Sequence, residues 1–289
     1  MLEQLGRKEE VLLDPGKTGN VRKKIIWMIG FSTCLIGLIL ILSFILSNDN
    51  LRVNNASKNL MPSLQHLFGT DWLGRDMFTR TMKGLRLSLA VGIFATVISV
   101  TVATLLGTAA ALFGKKVDEL ISWLIDLFIG MPHLIFMILI CYIVGGGIRG
   151  IVIGVAMTHW TSLARVVRAE VLQIKSAEYI QLSRSYGKSP WYIARRHVMP
   201  SVFPQIMIGA FLMFPHVILH EAALTFLGFG LSPQTPAVGI ILSEAMSHLS
   251  TGQWWLILFP GILLILVAKS FDNIGEQLRI LLDPTSSNE

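Results

Sequence analysis

Apolar stretches long enough to cross a membrane constrain this chain of 289 residues more than any other feature of its sequence. About six of them approach the roughly 20 residues that a helix needs to span a bilayer. Charged residues make up 15% of the chain, whereas soluble domains carry about 25%. We therefore predict an all-α, polytopic membrane protein with spans at 25–47, 87–113, 120–144, 148–163, 202–226 and 254–268.

The distribution of Lys and Arg predicts which loops face the cytoplasm. Short cytoplasmic loops are enriched in these residues, and the loop at 227–253 contains neither. The long first outer loop is also basic, but long loops weigh less in this rule. We expect both termini in the cytoplasm. The predicted regions are a cytoplasmic tail (1–24), a first transmembrane helix (25–47), an extracellular loop with a surface helix (48–86), a transmembrane core (87–282) that contains a long cytoplasmic loop (166–200), and a cytoplasmic tail (283–289).

The end of the first outer loop predicts a helix that begins at Met77. Asp76 precedes it and is a residue type that favours the N-cap position. Met77, Thr81 and Leu85 then share one helical stripe, while the basic residues lie elsewhere. This pattern predicts an amphipathic helix on the outer membrane surface that leads into the second span. A solvated hairpin is the alternative.

A polar, basic segment at 178–200 interrupts the apolar spans and predicts two short helices joined at a fixed corner. Gly187 suits the left-handed end of the first helix. Ser189 suits the N-cap of the second, and Pro190 its first position. A further helix is expected to start at Pro200. Two helices at such a corner form a rigid knob on which a partner can dock, and an ordinary amphipathic surface loop is the alternative.

The same segment resembles the cytoplasmic coupling loop of ABC importer permeases, the EAA motif. That motif is a short helix, a glycine and about nine residues that lead to an Ile-x-Leu-Pro-like end. Gly187 corresponds to the glycine and Pro200 to the end. The helix from Glu178 departs from Glu-Ala-Ala at Gln181, Leu182 and Ser183, and His197 replaces the usual Ile. The resemblance implies that Pro190 and its neighbours receive the movement of an ATPase subunit.

Further stretches resemble the dipeptide, oligopeptide and nickel permease family in its "C" subunit form. The outer segment matches this family at Gly69, Thr70, Asp71, Leu73, Gly74, Arg75 and Asp76. Other matches are 225–230 with Pro233 and Pro236, Pro260 with Gly261, Gly275-Glu276-x-Leu278-Arg279, and Leu282-Asp283-Pro284. The resemblance covers about 66–284. It implies the type I importer permease fold and a place in a bacterial cell membrane.

The resemblance also implies partners. A second, homologous permease subunit would complete the path, two ATP-binding subunits would dock on the coupling loops, and an extracellular solute-binding lipoprotein would deliver the cargo. ATP with Mg²⁺ would be used by the partner ATPases. This chain is therefore expected to bind no cofactor and to be no enzyme.

The overall look of the chain is most similar to the metal–opine (staphylopine-type) permeases of Gram-positive bacteria. This likeness favours nickel, cobalt or zinc bound to an opine-type chelator as cargo. A di- or oligopeptide is the alternative. The binding protein, which is a separate chain, largely sets selectivity in such systems.

Three ionisable residues in the fifth span are candidates for the translocation path: His216, His220 and Glu221. Ionisable groups within spans are costly and usually face a cavity or a partner. His216 and His220 are four residues apart and share a helix face, so they are also weak candidates for metal ligands. Two polar residues that face water or a neighbouring helix are the simpler interpretation.

Other chemistries find little support. Gly107–Lys116 misses the P-loop spacing, and the glycines at 145–150 follow no strand, so neither predicts a nucleotide site. The two cysteines, Cys34 and Cys141, lie in separate apolar runs. Nucleic-acid binding is not expected, because the basic residues lie in loops between spans. An ion-driven transporter would need paired inverted halves, and a membrane enzyme would need a third metal ligand and a nucleophile.

Overall fold

The structure is a computed structural model that describes residues 15–232 and 234–282. Within these residues the chain is helical and contains no β-strand. The predicted tail at 283–289 and the motif residue Pro233 lie outside the described residues. The α-helices are α1 (Pro15–Ile45), α2 (Met77–Leu112), α3 (Lys115–Gly130), α4 (His133–Ile143), α5 (Gly147–Lys175), α6 (Glu178–Ser185), α7 (Pro190–Ile193), α8 (Met199–Phe226), α9 (Val238–Met246) and α10 (Trp255–Leu282).

The prediction of about six spans is confirmed for the part of the chain that the structure describes. Five helices are long and apolar enough to cross a membrane, and a sixth span results if the bent pair α3 and α4 is counted as one. Large apolar side chains on the outside of these helices, such as Trp27, Phe94 and Trp123, are more than half exposed. Exposed apolar surfaces of this kind are expected to contact lipid.

The third predicted span, 120–144, was wrong as a single helix. It breaks at Met131 and Pro132 into α3 and α4, whose axes differ by 99°. Proline lacks an N–H group and disfavours helical backbone in the residue before it. Met131 accordingly has an extended backbone with ψ of 143°. The break turns the start of α4 toward α5 and α8.

The helices also extend beyond the predicted ends of the apolar runs. Helix α1 begins at Pro15, and α10 continues to Leu282. Helix α5 continues to Lys175, so the first part of the predicted loop at 166–200 is helical. Its basic side chains find partners on α3: Arg165 lies 2.5 Å from Asp126, and Arg168 forms an ion pair with Asp118. Hydropathy alone could not reveal this polar extension.

The predicted surface helix at the end of the outer loop was also wrong, because α2 runs without a break from Met77 to Leu112. Asp76 does cap it, as predicted: its Oδ2 accepts a hydrogen bond from the Thr79 N–H at 2.8 Å. Arg80 and Lys83 are both buried, so these turns do not have a polar face. Asp71, Glu244 and Asn48 accept hydrogen bonds from these two cations and allow their burial.

The central packing contact joins α2 to α5. A Cβ atom added at Gly107 would lie 2.7 Å from the Ala164 carbonyl oxygen, so the two backbones touch there. Trp160 and Val167 of α5 are buried in the same apolar cluster as Ala103 of α2. Helices α8 and α10 pack beside this pair, and α1 covers α10 from outside. The pairing leaves one side of α5 and α8 free to form a cavity wall.

Candidate functional site

A cavity of about 680 Å³ opens where the α3–α4 bend meets α5 and α8. Much of its wall is apolar, with Phe128, Ile208 and Leu212 as examples. Its polar groups come from Thr158, Thr161, Ser162, Gln205, Arg279 and four histidines: His133, His159, His216 and His220. An apolar cavity with a few convergent polar groups is the usual form of a site that binds a small solute.

Three of these histidines meet at one point of the wall. The ring centroids of His133 and His159 are 4.8 Å apart, and each lies 5.1 Å from that of His220. Their available nitrogen atoms all lie within 4.8 Å of one another. The α3–α4 break, α5 and α8 contribute one residue each. His216 lines the same cavity one turn before His220.

Hydrogen bonds fix the orientation of the His159 ring. Its Nδ1 lies 3.0 Å from the Val155 carbonyl oxygen and 3.1 Å from the Thr158 hydroxyl. A carbonyl oxygen can only accept, so Nδ1 carries the hydrogen and Nε2 has the free lone pair. Nε2 lies 3.2 Å from Nδ1 of His220, which donates to it in this arrangement. Helix α5 therefore presents a neutral nitrogen donor to the cavity.

Glu221 has a different position from the two histidines that precede it in α8. Its side chain is fully buried and is not part of the cavity wall. Its Oε1 accepts a hydrogen bond from the Thr225 hydroxyl at 3.2 Å. Adjacent residues on a helix point about 100° apart, and the bend beside α8 opens the cavity only on the histidine side. The structure thus brings His216 and His220 together but separates Glu221 from them.

The segment at 178–200 has the corner that the sequence predicts. Helix α6 ends at Ser185, and Gly187 follows with φ of +74°. The Gly187 N–H donates to the Arg184 carbonyl at 2.8 Å, and the Lys188 N–H donates to that of Ser183 at 3.1 Å. Helix α7 then begins at Pro190, and the Ser189 hydroxyl caps it by accepting from the Tyr192 N–H at 3.2 Å. The first helix, the glycine corner and the capped second helix are therefore present as predicted.

Two buried side chains fasten this corner to the bundle. Ile180 of α6 and Ile193 of α7 are 0% and 1% exposed and belong to the large apolar cluster around α5. The opposite surface is exposed and aromatic, with Tyr186 and Trp191 at 81% and 72%. A protein surface that keeps such side chains in water is a candidate docking surface.

The residues that replace Glu-Ala-Ala serve the local structure of α6 and its surface. The Gln181 side-chain amide donates to the Ser176 carbonyl at 3.1 Å, and the Ser183 hydroxyl donates to that of Tyr179 at 3.0 Å. Leu182 is 58% exposed and lies on the outer side of the corner. Glu178 lies in the first turn of α6, where its negative charge interacts favourably with the helix dipole and stabilises the helix.

The helix expected to start at Pro200 was wrong as a separate element. The chain passes from α7 into α8 through a π-helical turn, Ala194–Val198. The Met199 N–H donates across this turn to the Ala194 carbonyl. Pro200 has no N–H to donate, and wide turns of this kind are a common way to accommodate a break in the α-helical register. The coupling corner and the cavity wall therefore belong to one continuous rod.

The outer motif is a structural network. Oδ1 of Asp71 accepts from the N–H groups of Leu73 and Arg75, both at 2.9 Å. Oδ2 accepts from Arg75 Nε at 2.6 Å and from Arg80 Nη1 at 3.2 Å. Both arginines also donate to Glu244 of α9. The loop is thereby tied to a distant helix.

Two glycines of this motif adopt a left-handed backbone where the loop is tight. Gly69 has φ of +70° and Gly74 of +75°. A Cβ atom at Gly74 would lie 1.8 Å from the Asn54 carbonyl oxygen, which leaves no room for any other residue. Asp76 completes the motif through its cap and through a 3.1 Å contact with His66.

Some residues of the site were missed in the sequence. His133 and His159 lie in different spans from His220, and no linear spacing joins them. The available signal was that each is an ionisable residue within or beside an apolar stretch. Glu244 was missed as well, because its arginine partners lie more than 160 positions away in sequence.

The family described as "Binding-protein-dependent transport system inner membrane component" matches residues 103–278, which include the coupling corner and every cavity residue except Arg279. The chain belongs to this family. This permease is therefore a multi-pass protein of the inner membrane and a subunit of an ABC importer, as the motifs predicted.

Relatives of known description cover most of this permease. It is 34% identical over 241 residues to a dipeptide transport system permease protein of Bacillus subtilis. The matched residues are 83% of this chain and 75% of the relative. It is 35% identical over 259 residues to a protein of the same description from Alkalihalophilus pseudofirmus, with 86% and 85% covered. A putative peptide permease protein of Brucella suis is 36% identical over 227 residues, with 78% and 75% covered.

Solved structures confirm the fold of the permease. It is similar to a chain of the MetNI methionine ABC transporter in an inward-facing conformation, with a TM-score of 0.56 and 18% identity. The match covers 70% of this permease and 97% of that chain. A second crystal form of the same transporter gives a TM-score of 0.53. The expected all-α importer fold is thereby confirmed.

Proposed function

We propose that this permease forms half of the translocation path of an ATP-driven importer of di- or oligopeptides. The observation that carries this proposal is the 34–36% identity to dipeptide and peptide permeases over three quarters or more of this chain. In the importer, a second, homologous permease subunit completes the path, and an extracellular solute-binding lipoprotein delivers the cargo. Both termini lie in the cytoplasm.

Two ATPase subunits drive transport by docking on the coupling corners. The exposed aromatic surface at Tyr186 and Trp191 supports this role, and so does the attachment of the corner through Ile180 and Ile193. In our proposal ATP and Mg²⁺ are bound by the ATPases, and this chain hydrolyses nothing. Movement of the corner reaches the cavity along α8, because the π-helical turn keeps the two in one rod.

The cavity is our candidate for the part of the path that this chain contributes. Its histidine wall, including His216 and His220, gives polar contacts to a solute within otherwise apolar surroundings. Glu221 lies outside the cavity wall and stabilises α8 through its hydrogen bond with Thr225. The contribution of these residues is a proposal that transport measurements can test.

A complex of nickel, cobalt or zinc with an opine-type chelator is the second candidate cargo. The specific observation in its favour is the convergence of His133, His159 and His220 on the cavity wall. Neutral imidazole is a preferred ligand of these metals. A chelate that exposes part of its metal could be held there during passage.

Reconstituted transport separates the candidates. The complex would contain this permease, its partner permease, the ATPases and the binding protein in proteoliposomes. Short peptides or the metal–opine chelate would be supplied on the binding protein, and ATP hydrolysis and uptake would be measured. Stimulation by peptides alone supports the first proposal, and stimulation by the chelate alone replaces it with the second. Vanadate-insensitive uptake without the ATPases would contradict both, because an ion-driven transporter needs no ATP.

A further inference from the structure

The geometry of the histidine cluster points to a new metal site. We infer that His133, His159 and His220 bind a single divalent transition-metal ion at the cavity wall, with further coordination positions open to the cavity. The inference rests on the proposal that this cavity is part of the translocation path. It concerns the ion held by this chain and does not depend on which cargo the importer carries.

The distances fit one ion. Zinc lies about 2.0–2.1 Å from a histidine nitrogen, so two nitrogens on a tetrahedral ion are about 3.3 Å apart. His159 Nε2 and His220 Nδ1 are 3.2 Å apart, which matches this spacing before any ion is bound. The available nitrogens of all three residues lie within 4.8 Å of one another. Closing the triangle around an ion requires a shift of at most about 1.5 Å in the third ligand.

His159 is already oriented as a ligand. Metal-binding histidines almost always donate their second ring N–H to a carbonyl or carboxylate, which fixes the ring and directs the lone pair to the ion. The Val155 carbonyl accepts this hydrogen bond from His159 Nδ1 at 3.0 Å. Because Val155 belongs to the same helix, the arrangement is independent of any partner chain.

The other two histidines have the freedom that binding requires. His133 is exposed and is the first residue of α4, directly after the break at Pro132. His220 is partly exposed and donates from Nδ1 to His159. When a metal ion binds Nδ1, that hydrogen moves to Nε2, which gives the other neutral tautomer of the ring. A proton competes with the metal for the same nitrogen, so affinity falls as the pH is lowered.

The donor set selects the class of metal. Three imidazoles suit nickel, cobalt, copper and zinc, whereas magnesium, calcium and manganese prefer oxygen ligands. Three protein ligands with an open position is the pattern of zinc sites that accept an exogenous ligand. The open positions here face the cavity, where His216 or a donor atom of the cargo can complete the coordination. The site is thus suited to hold a metal that remains partly bound by another molecule.

Cobalt binding tests the inference directly. The full-length chain would be purified in detergent with an affinity tag that contains no histidine and titrated with Co²⁺, whose visible absorption reports coordination. We expect about one tightly bound Co²⁺ per chain, competition by Zn²⁺ and Ni²⁺, and none by excess Mg²⁺. His133→Gln, His159→Gln and His220→Gln should each weaken binding at least about tenfold. His197→Gln, on the coupling corner, is the matched control and should bind as the unmodified chain does.

Each outcome decides the question. Absence of the Co²⁺ band, or binding that none of the three variants weakens, overturns the inference. His133→Gln keeps the test valid if His159→Gln fails to fold, because His133 is exposed, whereas His159 is buried. If the chain binds no Co²⁺ while cargo still stimulates ATP hydrolysis, the metal site is refuted and the importer proposal stands. Intact Co²⁺ binding in a complex that responds neither to peptides nor to the chelate would overturn both proposed cargoes and leave the metal site.

Discussion

Arg80 Nη1 donates a hydrogen bond to Asp71 Oδ2 at 3.2 Å, and neither side chain is more than 3% exposed. This ion pair joins the first turns of α2 to the outer loop that precedes it. Glu244 of α9 accepts from Arg80 on the other side. The outer motif therefore locks three separate parts of the chain through one buried cation.

Asp71→Asn should destabilise the protein by about 3–5 kcal/mol, because it leaves the buried charge of Arg80 with one partner fewer. Thermal unfolding of the purified protein in detergent measures the effect. Asp49→Asn is the control, since its ion pair with Arg52 is exposed and worth about 0–1 kcal/mol. Equal losses of stability in the two variants would show that the buried network stabilises the protein no more than an exposed ion pair does.

Gly187→Pro should uncouple ATP hydrolysis from uptake. Proline cannot adopt the φ of +74° at this position and has no N–H to donate to the Arg184 carbonyl. Hydrolysis and uptake would be measured together in proteoliposomes, with a fall in molecules transported per ATP as the expected result. Gly187→Asn is the matched variant, because asparagine tolerates the left-handed region and keeps its N–H. Normal uptake by the proline variant would refute the coupling role.

Gly107→Leu should destabilise the bundle by about 1–3 kcal/mol, or by more if the helices separate. Its side chain has no space, since even a Cβ atom would meet the Ala164 carbonyl oxygen at 2.7 Å. Gly37→Leu is the control, because no atom lies within 4 Å of a Cβ added there. Thermal unfolding of both variants measures the difference. A Gly107 variant as stable as the control would show that α2 and α5 can move apart at no cost.

Glu221→Gln should leave cargo preference unchanged and uptake within about twofold, whereas His216→Gln should alter preference. The glutamine side-chain oxygen can still accept from Thr225, and Glu221 is not on the cavity wall. Uptake of two competing cargoes measures preference for each variant. A triple variant would combine His216→Ala, His220→Ala and Glu221→Ala. If neither this triple variant nor any of the single variants changes transport, the translocation path lies elsewhere.

The sequence predicted those features that depend on local chemistry. Asp76 as a cap, Gly187 as a corner and the number of spans follow from capping preferences, backbone freedom and hydropathy, and each is present. The ends of α5 and α10 could not be predicted in this way. The polar extension of α5 is stabilised by partners on α3, such as Asp118 for Arg168. In α10 the charged side chains pair within the helix, as Arg279 does with Glu276.

The composition of the site depends on tertiary packing and was only partly visible. A proline such as Pro132 disturbs a helix, but hydropathy gives no angle, and the 99° turn is what carries His133 to His159 and His220. The placement of Glu221 shows that residues adjacent in sequence can also be separated by the fold. It is next to His220 in sequence, yet one helical step of about 100° directs it to the interior.

The π-helical turn at Ala194–Val198 has a mechanical consequence. Such a turn contains about one residue more than the α-helical register requires, so it is a place where the rod can change shape, as are Pro204 and Pro215 within α8. Shifting that extra residue along the helix would turn the stretch that it passes by about 100° and move that stretch by about 1.5 Å. A push at the corner that moves the extra residue past His216 and His220 would thus rotate these histidines.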